Sequence, residues 1–95
     1  MEKFYTKNGL IAYKTTTAEI QSIGGFGICD ECGTFQPNGG YLVPVLNHWQ
    51  CEKCFNESKD RLQKYPEDMP FEARYAKYYE SRIPCTMRED PDEKP

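Results

Sequence analysis

Apolar residues along this chain come in short clusters separated by turn-forming residues, and the clusters change period from one end to the other. FYTKNGLIAY (4–13) places aromatic and β-prone residues on both sides of Asn8-Gly9. That dipeptide accepts positive φ at both central positions of a type I′ turn, so the segment predicts a β-hairpin. In TTTAEIQSIGG (15–25) the spacing Thr16-x-x-Glu19 fits a capping box. Ile20 and Ile23 share a helical face, and Gly24 is placed to end a short helix. YLVPVLNHWQ (41–50) reads as two short strands with Pro44 at the bend, since proline cannot donate to a sheet ladder.

Beyond residue 50 the period becomes helical. Composition favours a helix over 51–65 that ends at Pro66, with Glu57 and Arg61 in the favourable four-residue order. A second helix is expected after Asp68, with Pro70 in its first turn and FEARYAKYYESR (71–82) as its body. Phe71, Tyr75 and Tyr78 fall at i, i+4 and i+7, which predicts one aromatic face, extended by Tyr79. The last segment, CTMREDPDEKP (85–95), is charged and contains proline, and disorder is expected there. The reading is one domain over 1–84.

Composition changes this picture by showing how little core is available. Of 95 residues only 38% are apolar, and much of that fraction is aromatic: seven Tyr, five Phe and one Trp. A chain this short has a marginal apolar core and often needs a staple. Five cysteines offer one. No apolar run approaches the roughly 20 residues that span a bilayer, and MEKFYTKNGL lacks the apolar segment of a signal peptide. A cytoplasmic location is therefore expected, where clustered thiols bind metal more often than they form disulfides. An odd cysteine count also fits a disulfide framework poorly.

The cysteines follow the string Cys29-x2-Cys32-x18-Cys51-x2-Cys54. Each C-x2-C pair puts two thiolates within reach of one tetrahedral zinc ion, and two pairs complete a closed shell. FGICDECGTF (26–35) reads as a tight turn around the first pair, with Gly33 free to take the conformation at its exit. Cys51 and Cys54 fall where helical composition begins, so unpaired amides at that helix start would stabilise anionic sulfur. A redox C-x-x-C would leave one pair unexplained. Iron would use the same four ligands, which the ligand set alone cannot separate from zinc.

The order of elements over 28–65 resembles a treble-clef zinc finger. ICDECG corresponds to the knuckle, YLVPVLNHWQ to the hairpin and CEKCFNESKDRL to the helix entry. The resemblance implies a small α+β zinc-binding domain with one structural zinc ion, flanked here by an N-terminal β-hairpin and a C-terminal helix. It does not imply one function, because treble clefs serve nucleic-acid binding, protein recognition, ubiquitin transfer and nuclease scaffolds. A short, tyrosine-rich chain around one such site also resembles accessory proteins of bacterial phages and mobile elements.

With His48 included, Cys29-x2-Cys32-x15-His48-x2-Cys51 is similar to the first site of LIM domains. A LIM domain needs a second site that starts at Cys54, and after it only Cys85 remains. The four-cysteine set is therefore preferred, with His48 as a neighbour and Cys85 as a free thiol. Trp49 and Phe55 are expected to pack together around the site.

Four thiolates leave no open position for substrate, and a nuclease of the HNH type needs several histidines where this chain has one. The expectation is a non-enzymatic binding module. Its partner is expected to be another protein, contacted through the aromatics of 71–79 and the N-terminal hairpin. The alternative is a nucleic-acid-binding regulator using Lys53, Lys59, Arg61 and Lys64 on the first helix and Arg74, Lys77 and Arg82 on the second. A net charge of −3 argues against that alternative, because each basic set is interleaved with acids.

Overall fold

The computed structural model describes residues 1–87, and strand pairing organises all of it. Five strands form one sheet in the order β4-β3-β2-β1-β5. Here β1 is Glu2–Tyr5, β2 Ile11–Thr15, β3 Gly40–Val43, β4 His48–Gln50 and β5 Thr86–Met87. The β1–β2, β2–β3 and β3–β4 pairs are antiparallel, and β5 runs parallel to β1. Three helices complete the fold: α1 (Thr17–Ser22), α2 (Glu52–Ser58) and α3 (Met69–Arg82), the last preceded by a 3-10 turn at Pro66–Asp68. None of these helices is long and apolar enough to cross a membrane.

Side chains alternate across the strands, so each face of the sheet holds its own core. Tyr13, Leu42 and Trp49 face one side, where Ile20 of α1 and Ala76 and Tyr79 of α3 cover them. Phe4, Ala12 and Val43 face the other, against Phe55 of α2 and the half-buried Leu62. Phe55 stacks on Tyr41 with ring centroids 4.3 Å apart and meets Phe4 edge-on at 5.9 Å. Burying one such ring contributes roughly 1.5–3 kcal/mol, which makes Phe55 the main anchor of α2.

The capping box of α1 is present. Thr16 Oγ1 accepts from the Glu19 amide at 3.1 Å, and the Glu19 carboxylate accepts from the Thr16 amide at 2.9 Å. At the other end the amides of Gly24 and Gly25 return to the carbonyls of Gln21 and Ile20. This pattern closes the helix after less than two turns.

Several local expectations give way to tertiary contacts. The first hairpin does not use a two-residue turn at Asn8-Gly9. Only Gly9 has positive φ, and the loop is closed by Thr6 N–H donating to Leu10 O at 2.8 Å. Three residues therefore form the connection, with glycine at the left-handed position. Asn8 instead sends its side-chain amide to Leu62 O at 2.6 Å.

That bond helps explain why α2 stops at Ser58 and does not run through 51–65. Leu62 packs against the core around Phe55, and its carbonyl accepts the Asn8 amide. The segment after Ser58 is fixed by these contacts, which are distant in sequence, and local helix propensity yields to them.

The aromatic face of α3 also differs from the spacing argument. The buried stripe is Glu72, Ala76 and Tyr79, one residue out of phase with Phe71, Tyr75 and Tyr78. Phe71 and Tyr78 are about half exposed, Tyr75 is partly buried, and Tyr79 points inward. Polar bonds decide this phase. Glu72 accepts from the Ile11 amide at 2.9 Å, Glu80 accepts from the Tyr13 hydroxyl, and the Tyr79 hydroxyl donates to Asn47 Oδ1.

The expected disorder of 85–95 begins too early, because Thr86 donates from its amide to Met1 O at 3.0 Å and starts β5. The remainder of that expectation, 88–95, lies outside the described residues.

Two outcomes follow from the attachment of α3. Glu72→Ala leaves the Ile11 amide without its acceptor in a buried setting, which should cost about 1–3 kcal/mol. A lowered urea midpoint with an unchanged slope is expected; an unchanged midpoint would remove Glu72 from the account. Burial works to raise the Glu80 pKa, but hydrogen bonds from Tyr13 and Lys3 outweigh it and hold the carboxyl below its ordinary value. A depressed carboxyl stabilises the fold above its unfolded pKa and loses that contribution as pH falls through the folded one. Wild type should therefore exceed Glu80→Gln in stability at pH 7, with the gap closing below the usual carboxylate range, as read by denaturant titrations across pH.

Candidate metal centre

Two short pieces of chain meet at the free edge of β4. The first is the knuckle. Ile28 and Phe35 pair as an isolated bridge, Cys29 N–H donates to Thr34 O at 3.0 Å, and Gly33 N–H donates to Cys29 O at 2.8 Å. Gly33 carries the turn at φ 72°, where a side chain would be strained. The second piece is the step from β4 into α2, where Cys51 is the N-cap residue with extended backbone angles.

The two C-x2-C pairs present their sulfurs in the same way. The Cys32 amide donates to Cys29 Sγ at 3.5 Å, and the Cys54 amide donates to Cys51 Sγ at 3.5 Å. A further amide, from Glu31, points at Cys29 Sγ at 3.4 Å. Donors aimed at sulfur favour the thiolate form that binds metal.

All four sulfurs lie within 4.8 Å of one another, with Cys32 and Cys51 at 4.0 Å. Sulfurs about 2.3 Å from one tetrahedral ion sit about 3.8 Å apart, so a contraction of about an ångström closes the cluster around a metal. The donor set fits, and Cys29, Cys32, Cys51 and Cys54 can hold one ion. Cys29 and Cys51 are buried, Cys54 is intermediate and Cys32 is exposed, so the site lies at the surface with two anchored and two accessible ligands.

The residues inside the first C-x2-C do more than span it. Asp30 donates its amide to Trp49 O and accepts the Trp49 amide on its carboxylate, both at 2.8 Å. Glu31 accepts from the Gln50 side-chain amide at 3.2 Å and lies 3.4 Å from His48 Nδ1. The knuckle is thus registered on β4 independently of the sulfurs. Sequence reasoning missed Asp30 and Glu31. The available signal was two acids between two cysteines, opposite a histidine and a glutamine on the facing strand.

His48 falls outside the sulfur cluster and beside Glu31. Cys85 is also outside it, near the Met1 end of the sheet, and burial raises its pKa. Trp49 and Phe55 do not share a core as expected. The Trp49 ring lies on the α1/α3 face, with its indole N–H donating to Thr15 Oγ1 at 2.6 Å, whereas Phe55 lies on the opposite face. Successive side chains of a strand point to opposite faces, and the passage through Cys51 into α2 carries Phe55 under the sheet.

Proton affinities within the cluster are uneven. The hydroxyl and amide of Thr34, then the neighbouring thiols, hold Cys32 down to about 6. Hydrogen bonding to Cys51, together with burial, pushes Cys54 up. A metal ion displaces the remaining thiol protons, so its affinity falls as the medium is acidified.

No family model matches the chain, and neither the curated proteins nor the solved structures yield a match.

Purified protein should contain one metal ion per chain by elemental analysis. Cys51→Ser should lose it, while His48→Ala and Cys85→Ser should keep it at neutral pH. Retention by Cys51→Ser, or loss on removing His48, would redraw the ligand set.

Proposed function

We propose that this chain is a non-enzymatic, zinc-stabilised module of the treble-clef kind whose knuckle binds another protein. The observation that carries this reading is the exposure of Phe26 (79%), Ile28 (42%) and Phe35 (53%) on one short segment beside the sulfur cluster. Three large apolar side chains in water are costly for a chain with so little core. Held on a rigid support, such a group has the composition of an interface centre. The order of knuckle, hairpin and helix supports the treble-clef assignment, and four thiolates match the preference of zinc for closed tetrahedral sites.

The contact aromatics expected on 71–79 contribute differently. Phe71 and Tyr78 are half exposed, but Arg74 and Arg82 lie over their rings at 5.5 and 5.2 Å. Charge distribution weighs against the nucleic-acid alternative at the metal-bearing side. Between Lys14 and Lys53 there is no lysine or arginine, while Glu19, Asp30, Glu31 and Glu52 fall in that interval, so Lys53 between Cys51 and Cys54 is the single cation from residue 15 to the last ligand. Four thiolates around one divalent ion add further negative charge, which phosphate would meet as repulsion.

Affinity capture of the metal-loaded chain from its native host, with and without nuclease, tests this reading. A specific protein should be retained after nuclease treatment. Phe26→Ser, which removes a side chain that packs on little, should reduce that retention about tenfold or more while leaving metal content unchanged. Recovery of nucleic acid in place of protein, or retention indifferent to Phe26→Ser, would contradict it.

A further inference from the structure

A cavity of about 280 Å³ opens between α1, the β3–β4 turn and α3. Its apolar walls include Ile20, Ile23, Leu42 and Trp49, and Tyr78 and Tyr79 stand along it. Asp30 is the one charged residue in its lining. One Asp30 oxygen accepts the Trp49 amide, and no cation pairs with this carboxylate among the described residues. Burial, then Tyr75 and Tyr78, and then Asp30 push the Tyr79 hydroxyl up to about 12.

Size and chemistry together narrow the occupant. The volume lies at the small end of ligand sites, which run to about 300–1,000 Å³, and is ample for a single long side chain. Apolar walls accept an aliphatic stem, and a lone carboxylate beside aromatic rings asks for a cationic head. Arg82 lies over the Tyr78 ring at 5.2 Å, so an incoming guanidinium would share that ring or displace Arg82 from it. Gly24 and Gly25 in the cavity wall immediately precede Phe26 in the chain, and Asp30 of the knuckle itself lines the cavity.

We propose that this cavity is an anchor pocket for one arginine side chain of the protein partner, with its stem on Leu42 and Trp49 and its guanidinium at Asp30. The proposal rests on the protein-binding reading and names the chemistry of the partner at that surface. Arginine fits better than lysine because its planar, weakly hydrated head can pair with a carboxylate and stack on a ring at once. Residues 15–52 hold no lysine or arginine, and the competing cation at the cavity rim is Arg82 of α3, over the Tyr78 ring.

The test is an NMR titration of the isotope-labelled, metal-loaded full chain with three acetylated, amidated tripeptides: Leu-Arg-Leu, Leu-citrulline-Leu and Leu-Glu-Leu. Citrulline keeps the shape of arginine and removes its charge. The arginine peptide should shift the methyl signals of Ile20, Ile23 and Leu42 and the indole of Trp49. The citrulline peptide should bind about tenfold more weakly, as expected for loss of a charge-assisted hydrogen bond, and the glutamate peptide should not bind. Asp30→Asn retains an oxygen for the Trp49 amide and should bring the arginine peptide to the citrulline level with metal content intact. If Asp30→Asn loses its metal, Tyr78→Ala at the half-exposed rim serves instead and should also weaken the arginine peptide.

Equal affinity for arginine and citrulline, or shifts that map away from the cavity, would overturn the assignment. Failure of this inference and failure of the reading it rests on are distinguishable. Peptides that fail while Phe26→Ser abolishes protein capture sink the pocket alone. Arginine binding beside capture indifferent to Phe26→Ser sinks the knuckle as docking surface and leaves the pocket standing.

Discussion

The junction of four sulfurs at the edge of β4 is the constraint on which the rest of the structure depends, because the knuckle has almost no core of its own. Of its large apolar residues, Phe26, Ile28 and Phe35 lie largely in solvent, and Cys29 is the side chain it buries deeply. Hydrogen bonds from Asp30 to Trp49 and from Gln50 to Glu31 set its register on the strand. Such bonds contribute on the order of 1 kcal/mol each, too little to hold a loop of this kind against its conformational entropy. A metal ion held by the four sulfurs would outweigh them, since structural zinc contributes roughly 10–16 kcal/mol in zinc-finger peptides.

The sheet has a different economy. Its two faces are covered by separate helices, and polar bonds from α3 to Ile11, Tyr13 and Asn47 pin the phase of that helix on the sheet. The metal side and the α3 side are joined through Trp49. Its main chain meets the knuckle, while its ring fills the α1/α3 core and its indole N–H holds Thr15. A partner held at the knuckle, as proposed, would pull on the same strand residue that organises the far core. This is the physical link between folding, metal and the proposed binding surface.

Much of the site was legible in the sequence, and the reason is chemical. Two C-x2-C pairs have few structural uses, and both bring their sulfurs into one group in the structure. The capping box at Thr16 and Glu19 was legible for a similar reason, since both partners lie within one turn. What escaped depends on contacts distant in sequence. The turn at Asn8 answers to Leu62, the end of α2 answers to the core around Phe55, and the phase of α3 answers to a buried Glu72. Aromatic spacing pointed to Phe71 and Tyr78, yet polar bonds to Ile11, Tyr13 and Asn47 set a phase that buries Glu72, Ala76 and Tyr79 instead. The exposure of Phe26, Ile28 and Phe35, which flank the first cysteine pair, depends on how the knuckle packs and leaves no signal in local spacing.

The central claim, that the metal centre holds the knuckle and the start of α2 in place, is tested most directly by chelation at neutral pH followed by two-dimensional amide NMR. Metal removal should collapse the signal dispersion of residues 28–65, and one equivalent of zinc should restore it. A spectrum that keeps its dispersion over 28–65 without metal would contradict the account.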